Sequence, residues 1–168
     1  RGALGVTPVE TLLLETGVWA LRFLLITLAM TPLRWLTGAT WVVQLRRQLA
    51  LWAFFYAASH FSVYAVFDNS LVLSSILQDI VKRPFILVGM AAFLMLLPLA
   101  LTSTRGWIRR LGRRWRQLHW LIYPAAVLGL THFFWIIRAN RWAEPVAYAA
   151  ILAVLLGWRL QKRWRPSL

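Results

Sequence analysis

The sequence contains no cysteine and few charged residues, and each shortage removes classes of protein. Without cysteine the chain has no disulfide, no thiolate metal site, no cysteine-ligated iron–sulfur cluster and no covalently attached haem. Only 14% of its 168 residues are charged, where a soluble domain has about a quarter. It also lacks a glycine-rich phosphate loop, a Ser-His-Asp set and paired carboxylates, so hydrolytic chemistry is not indicated.

Apolar residues make up 60% of the chain, and its mean hydropathy of +0.63 is typical of an integral membrane protein. A net charge of +14 would suggest a nucleic-acid partner if the protein were soluble. In a membrane protein the same surplus is expected, because lysines and arginines accumulate in cytoplasmic loops. We therefore predict membrane lipid, and no nucleic acid, around this chain.

Five apolar segments are long enough to cross a bilayer, so the predicted fold is an all-α bundle of five transmembrane helices. Pro32 is predicted to end the first helix, because a proline inside a helix removes a backbone donor. The distribution of apolar and polar residues in 68–83 predicts a short amphipathic helix on the membrane surface. The predicted spans cover residues 17–33, 45–67, 84–103, 117–137 and 145–160.

No internal repeat and no low-complexity linker is evident, so residues 1–168 are predicted to form a single membrane domain. The first sixteen residues are mixed in character and are not assigned to a span. Because the chain begins at Arg1 rather than at a methionine, we expect a sixth, N-terminal helix to precede it in the complete protein.

Charge is distributed unevenly between the two ends of the predicted bundle. Since five spans alternate in direction, the loops 34–47 and 104–116 and the C-terminal tail share one face. That face holds most of the lysines and arginines, whereas all five acidic residues lie on the other face. The positive-inside rule therefore places the basic face in the cytoplasm.

Three histidines lie within the predicted spans, where ionisable groups are costly and usually functional. His60 and His132 occupy matching depths on two spans that run in the same direction, towards the outer surface. Two neutral imidazoles at one depth suit the axial ligation of a haem iron, which favours electron transfer over oxygen chemistry. The alternative interpretation is that the two histidines make interhelical hydrogen bonds, as polar residues in membrane bundles often do.

His119 lies near the cytoplasmic end of the fourth span, where its counterpart by depth is Arg46 rather than a histidine. Arg46 and His60 are close to whole helical turns apart, so both can face the interior. His119 and His132 match less well, but Pro124 between them can rotate one half of the helix against the other. His119 is therefore either the ligand of a second haem, with an unusual sixth ligand or none, or an interfacial histidine with Arg46 as a membrane anchor.

Arg22 lies inside the first span with no acidic residue nearby in the sequence. Because haem carries two propionates, a buried propionate is one predicted partner for this arginine. Snorkelling of the side chain to the outer interface explains it equally well. Arg138 and Arg141, just beyond His132, are weaker candidates for a propionate.

Two stretches of the chain resemble the ferric-reductase-like transmembrane family. One is Arg46–His60, with the sequence RRQLALWAFFYAASH and preceded by TPLR at 31–34, and the other is Trp115–Tyr123, WRQLHWLIY. The likeness runs over nearly the whole chain, and within the family it is to the haem-binding membrane subunits of periplasmic methionine sulfoxide reductase systems. Carried over residue by residue, it covers His60, His119 and His132.

The resemblance implies a b-type cytochrome of the bacterial inner membrane, an electron-transfer subunit rather than the catalytic subunit of an oxidoreductase. It implies that quinol from the quinone pool donates the electrons. It also allows flavin mononucleotide (FMN) as a further bound cofactor. The implied acceptor is a periplasmic molybdopterin-containing enzyme that reduces methionine sulfoxide in oxidised proteins. The family pattern has two histidines on each of two helices, and an arginine stands here in place of the fourth. The implied cofactor is thus one haem b, or two if His119 also binds one.

Two other functions fit the same residues. A ferric or cupric reductase of the same fold would reduce metal chelates without a protein partner. A proton or ion transporter would use the histidines and Arg22 as a relay and would bind no haem. Docking of a periplasmic partner is predicted at residues 68–83 and at the turn 138–144.

Overall fold

Helices account for nearly all of the chain that the structure describes. The computed structural model describes residues 7–137 and 141–164, with side chains as far as Gln161, and contains no strand within those ranges. A π-helical turn, Tyr64–Asp68, extends the second helix, and a 3₁₀ turn, His119–Leu121, joins the sixth to the seventh. The helices are α1 (Pro8–Thr37), α2 (Trp41–Val63), α3 (Leu73–Lys82), α4 (Pro84–Leu101), α5 (Arg105–Leu111), α6 (Arg113–Leu118), α7 (Ile122–Ile136) and α8 (Ala143–Trp164).

Five helical segments within these ranges are long and apolar enough to cross a membrane, which confirms the predicted all-α transmembrane bundle. The predicted Arg138 site and the basic tail beyond Trp164 lie outside the described residues. We refer to the five segments as spans 1 to 5, and they are Pro8–Thr37, Trp41–Asp68, Pro84–Leu101, Arg113–Ile136 and Ala143–Gln161.

Span 1 differs most from the prediction, because α1 continues through Pro32 to Thr37. The sequence predicts that Pro32 ends this helix, and that prediction is wrong. A proline leaves the carbonyl four residues earlier, here that of Leu28, without its usual N–H donor. Nη2 of Arg159 on α8 donates to this oxygen at 2.6 Å. The guanidinium thus replaces the missing donor, and the helix continues past the proline.

The two basic segments predicted as loops are largely helical. Only residues 38–40 separate α1 from α2, and the chain reverses at Gly38, whose φ of 71° favours glycine. Segment 104–116 forms α5 and α6, with a break at Gly112, where φ is 50°. The hydroxyl of Thr104 caps α5 by accepting a hydrogen bond from the backbone N–H of Trp107. Short helices thus carry the arginines of this segment.

The bundle has two chemically different ends. The α1–α2 turn, α5, α6 and the end of α8 form one, which we call the basic end. The starts of α1, α4 and α8 and the ends of α2 and α7 form the other, the acidic end. Its acidic residues are Glu10, Glu15, Asp68, Asp79 and Glu144.

The predicted amphipathic helix is present as α3, at the acidic end between spans 2 and 3. Leu73, Leu77 and Val81 form a stripe that is exposed along one side of it. On its other side, the hydroxyl of Tyr64 donates to Oδ2 of Asp79 at 3.2 Å, which attaches α3 to the end of span 2.

The packed interior lies where α1, α2, α7 and α8 meet, and α1 contributes more buried residues to it than any other helix. Helices α1 and α2 pack along their length, and so do α4 and α7. Two alanines mark close crossings, Ala53 on α2 at 1% exposure and Ala126 on α7 at 0%. Small residues let helix backbones approach closely in a membrane, where dispersion contacts take the place of a hydrophobic driving force.

Ala126→Leu should destabilise the bundle by about 1–3 kcal/mol, because three extra carbons cannot be placed at this crossing without moving a helix. The adjacent Val127→Leu adds volume at a side chain that is 44% exposed, so it should leave stability unchanged. The measurement is the midpoint of thermal unfolding of each purified variant in detergent. Equal midpoints for the two variants would contradict the tight crossing.

Candidate functional site

The structure brings two of the three histidines together, between α2 and α7 near the acidic end. The ring centroids of His60 and His132 are 6.1 Å apart, and the ring planes are at 85° to each other. Both side chains are half-buried. This is the arrangement that their matching depth on spans 2 and 4 predicts.

A backbone carbonyl of a neighbouring helix binds each imidazole on the side of its Nδ1 atom. Nδ1 of His60 is 2.8 Å from the carbonyl oxygen of Leu13 on α1, and Nδ1 of His132 is 2.6 Å from that of Phe85 on α4. A carbonyl oxygen can only accept, so each Nδ1 must carry a proton and donate it. In the neutral ring this leaves Nε2 of each histidine with a lone pair that can bind a metal.

The same hydrogen bonds are of the kind that the alternative interpretation predicts, because each ring bonds a helix other than its own. A neutral imidazole has one N–H group, and here each ring donates it to a carbonyl. The bonds therefore run to the backbones of α1 and α4 and not between the two rings. They leave the lone pair on each Nε2 available for a metal, so they are compatible with haem ligation as well.

A glycine beside each ring makes this close approach possible. A Cβ atom on Gly17 of α1 would lie 3.1 Å from Nδ1 of His60. A Cβ atom on Gly89 of α4 would lie 2.7 Å from both Nδ1 and Cε1 of His132, closer than real Cβ contacts. Any side chain at Gly89 would have to displace the imidazole, and one at Gly17 would crowd it.

The two halves of the site are arranged alike, although no repeat is evident in the sequence. In each half the histidine is 47 residues from the carbonyl that it binds. In each half the glycine beside the ring lies one helical turn after that carbonyl. The helix pairs α1–α2 and α4–α7, which we call the two hairpins, therefore present their histidines in the same way. The matching residues are Leu13, Gly17 and His60 in the first and Phe85, Gly89 and His132 in the second.

The distance between the rings fits an iron between them. Metal–imidazole bonds of about 2 Å, with about 1 Å from each nitrogen to its ring centre, put two axial imidazoles roughly 6 Å apart, centre to centre. The observed separation of 6.1 Å agrees with that value. The hydrogen-bonded Nδ1 atoms are also what metal-binding histidines need, because such a bond fixes the ring and raises the basicity of Nε2.

His119 is not part of this pair and lies near the basic end. Its ring stacks on Trp115 with centroids 3.8 Å apart, and its Nδ1 donates to the carbonyl of Trp115 at 3.0 Å. Nε1 of Trp115 donates in turn to the carbonyl of Thr102 at 2.9 Å, which fixes the stack to the end of α4. Since the chain has only three histidines, no second imidazole can join His119 at this end.

The predicted counterpart of His119 on span 2 is Arg46. The interval between its neighbour Arg47 and His119 equals the interval between His60 and His132. Both arginines are exposed, and Arg46 lies close enough for its charge to act on His119.

Side chains of α8 bind Arg22 of α1 through hydrogen bonds and an ion pair. Its Nε donates to the hydroxyl of Tyr148 at 2.6 Å, and its Nη2 forms an ion pair with Oε1 of Glu144 at 2.8 Å. The Tyr148 hydroxyl donates to the same carboxylate at 2.8 Å, and the guanidinium lies 5.0 Å from the ring centre of Trp19. Glu144 is an acid that sequence proximity could not reveal. The charge of Arg22 is therefore balanced without a propionate, and the triad ties α1 to α8.

Asn69 is not among the site residues that the sequence predicts. Its side chain is 7% exposed, and its Nδ2 has no hydrogen-bond partner within the described part of the chain. It follows the π-helical turn at the acidic end, the same end as His60, and the next two residues, Ser70 and Leu71, have positive φ. A buried amide without an acceptor is costly, and a carboxylate would satisfy it.

Comparison with known proteins matches most of the chain to one family. The family model described as "Ferric reductase like transmembrane component" matches residues 16–130. No solved structure matches the chain.

Curated relatives cover almost all of the chain. The "Protein-methionine-sulfoxide reductase heme-binding subunit MsrQ" of Xanthomonas euvesicatoria pv. vesicatoria (strain 85-10) is 54% identical over 161 residues, which are 96% of this chain and 73% of the relative. The protein of the same name from Ralstonia nicotianae (strain ATCC BAA-1114 / GMI1000) is 48% identical over 165 residues, 97% of this chain and 76% of the relative.

Gly89→Ala should weaken haem retention by about 10–100-fold, because the new methyl group must push His132 away from its carbonyl and its partner ring. Gly17→Ala should have a smaller effect, since its contact of 3.1 Å is less severe. Gly129→Ala, on the same helix as His132 but facing open space, is the matched control. Haem per chain, measured from the absorption of each purified variant, tests this order. Retention by Gly89→Ala equal to that of Gly129→Ala would contradict it.

Proposed function

This chain belongs to the ferric-reductase-like transmembrane family, and on that premise we propose that it is the haem-binding, electron-transfer subunit of a methionine sulfoxide reductase system. The proposal rests on one observation above all. Two imidazoles lie 6.1 Å apart, each with Nδ1 bonded to a carbonyl and Nε2 free. The printed names of the relatives, heme-binding subunits of such systems, support the same assignment.

In this proposal His60 and His132 would hold the iron of a haem b. The group would supply one-electron redox chemistry, with both imidazoles bound to the iron. The carbonyls of Leu13 and Phe85 fix the orientation and tautomer of the ligands. Arg22, the predicted partner of a haem propionate, already has Glu144 as its counter-charge.

We propose that the protein sits in the bacterial inner membrane with its basic end in the cytoplasm. The arginines of α5 and α6 and of the segment 34–47, together with the tail, support this orientation. His60 and His132 then lie near the periplasmic surface, where a soluble enzyme can receive electrons. The segment 68–83 and the turn 138–144, of which residues 138–140 lie outside the described ranges, flank this exit and are the proposed docking region.

The proposal also includes an electron donor and an electron acceptor. Quinol in the bilayer supplies electrons, with FMN as a further cofactor, and a periplasmic molybdopterin-containing subunit uses them to reduce methionine sulfoxide in oxidised proteins. His119 is the one imidazole available to a second haem, at the cytoplasmic end, where the counterpart on span 2 is Arg46 in place of a histidine.

A ferric or cupric reductase of the same fold is the second candidate, because the family description names ferric reductases. The two functions differ in their acceptor. Reduction of metal chelates at full rate by the purified chain alone would favour the second candidate. Reduction that requires a periplasmic enzyme would favour the first.

His60→Ala and His132→Ala should each abolish the low-spin absorption bands of the purified protein, because each removes one of two ligands of the same iron. His119→Ala should retain those bands, since it lies at the other end of span 4. The measurement is the reduced-minus-oxidised visible spectrum in detergent. Unchanged spectra in both ligand variants, or a wild-type protein without haem bands, would refute the proposal.

A further inference from the structure

Arg159 is a charged side chain within span 5, and it is half-buried. Its Nη2 donates to the Leu28 carbonyl that Pro32 leaves free, at 2.6 Å. Its guanidinium carbon lies 5.5 Å from the centre of the Tyr123 ring on α7. Three helices thus converge on one guanidinium, but a carbonyl dipole and a ring face leave its positive charge without neutralisation.

In the part of the chain that the structure describes, no carboxylate forms an ion pair at the basic end. Both ion pairs within the described part of the chain, Arg22–Glu144 and Arg83–Asp79, involve acids of the other end. All five acidic residues of the sequence lie there as well. Because charged groups within a membrane are costly unless they are paired, Arg159 needs an anion from outside the chain.

A second cation strengthens this requirement. Arg46 on α2 lies close enough for its charge to act on both Arg159 and His119. Two guanidinium groups repel each other, and an anion between them would turn that repulsion into attraction. Tyr123, whose ring lies against Arg159, has a hydroxyl group that can donate a hydrogen bond to an anion.

We infer that Arg159, Arg46 and Tyr123 form a binding site for an oxyanion beside His119, at the basic end of the bundle. The ligand group is a phosphate or a carboxylate, because guanidinium groups bind both through paired, charge-assisted hydrogen bonds. Three molecules can bring such a group to this depth: FMN through its phosphate, an anionic phospholipid through its headgroup, and a haem through its propionates. The site does not depend on the pair His60 and His132, so it can be tested even if that pair binds no haem.

The test compares probes that differ only in the anionic group, using the full-length purified protein. FMN is titrated against riboflavin, which lacks the phosphate. Binding to bilayer discs of phosphatidylglycerol is compared with phosphatidylcholine, and haem per chain is counted. Arg159→Gln and Arg46→Gln should each weaken retention of the oxyanion ligand by about tenfold or more. Arg159→Lys keeps the charge and should restore much of it. Arg109→Gln removes an exposed arginine at the same end and is the control.

Each positive result identifies the ligand. Loss of the preference for FMN over riboflavin assigns the flavin phosphate, and loss of the preference for phosphatidylglycerol assigns a lipid headgroup. Loss of haem without loss of the signal from His60 and His132 assigns haem propionates. The inference is overturned if all three measurements match the wild type, or if Arg109→Gln lowers them as much as Arg159→Gln. If Arg159→Gln does not fold, Arg46→Gln is used in its place, because Arg46 is exposed and its replacement should not affect folding. The inference is then overturned if all three measurements for Arg46→Gln match the wild type.

Discussion

The site depends on two hydrogen bonds, from Nδ1 of His60 to the carbonyl of Leu13 and from Nδ1 of His132 to that of Phe85. Each bond uses the single N–H of a neutral imidazole, and so it fixes the tautomer, the direction of the ring and the free lone pair on Nε2. Both acceptors are carbonyls of rigid helices, which cannot rotate away as a side chain could. The geometry of the imidazole pair is thus set by the backbones of α1 and α4, and the glycines at 17 and 89 only give the rings room.

Polar groups elsewhere in the spans are also satisfied across helices. Arg22, Glu144 and Tyr148 form a triad between α1 and α8 near the acidic end, and Arg159 bonds a proline-freed carbonyl of α1 near the basic end. Span 5 is therefore fastened to span 1 at two levels, each through an arginine. In a membrane such bonds persist because the surrounding lipid offers no competing donors or acceptors.

Much of this architecture could be predicted from the sequence. Five spans, the amphipathic helix between spans 2 and 3 and the common depth of His60 and His132 follow from hydropathy and spacing, which are local properties. The continuation of α1 past Pro32 could not be predicted, because it depends on Arg159, far along the chain. The partner of Arg22, the carbonyl acceptors of the histidines and the roles of Gly17 and Gly89 were missed for the same reason. The interval from Leu13 to His60 equals the interval from Phe85 to His132, so a search for equal spacings would have found this correspondence between the two hairpins.

Each hairpin brings one imidazole to the shared site, and neither hairpin has both. A metal centre bound by both rings would link the two hairpins, which otherwise contact each other through apolar side chains. Its binding free energy would then add directly to the association of the halves, as for any ligand that binds only the assembled state. Chains that lack the cofactor would open more readily and would be exposed to membrane proteases, so the supply of cofactor would govern how much of the protein accumulates.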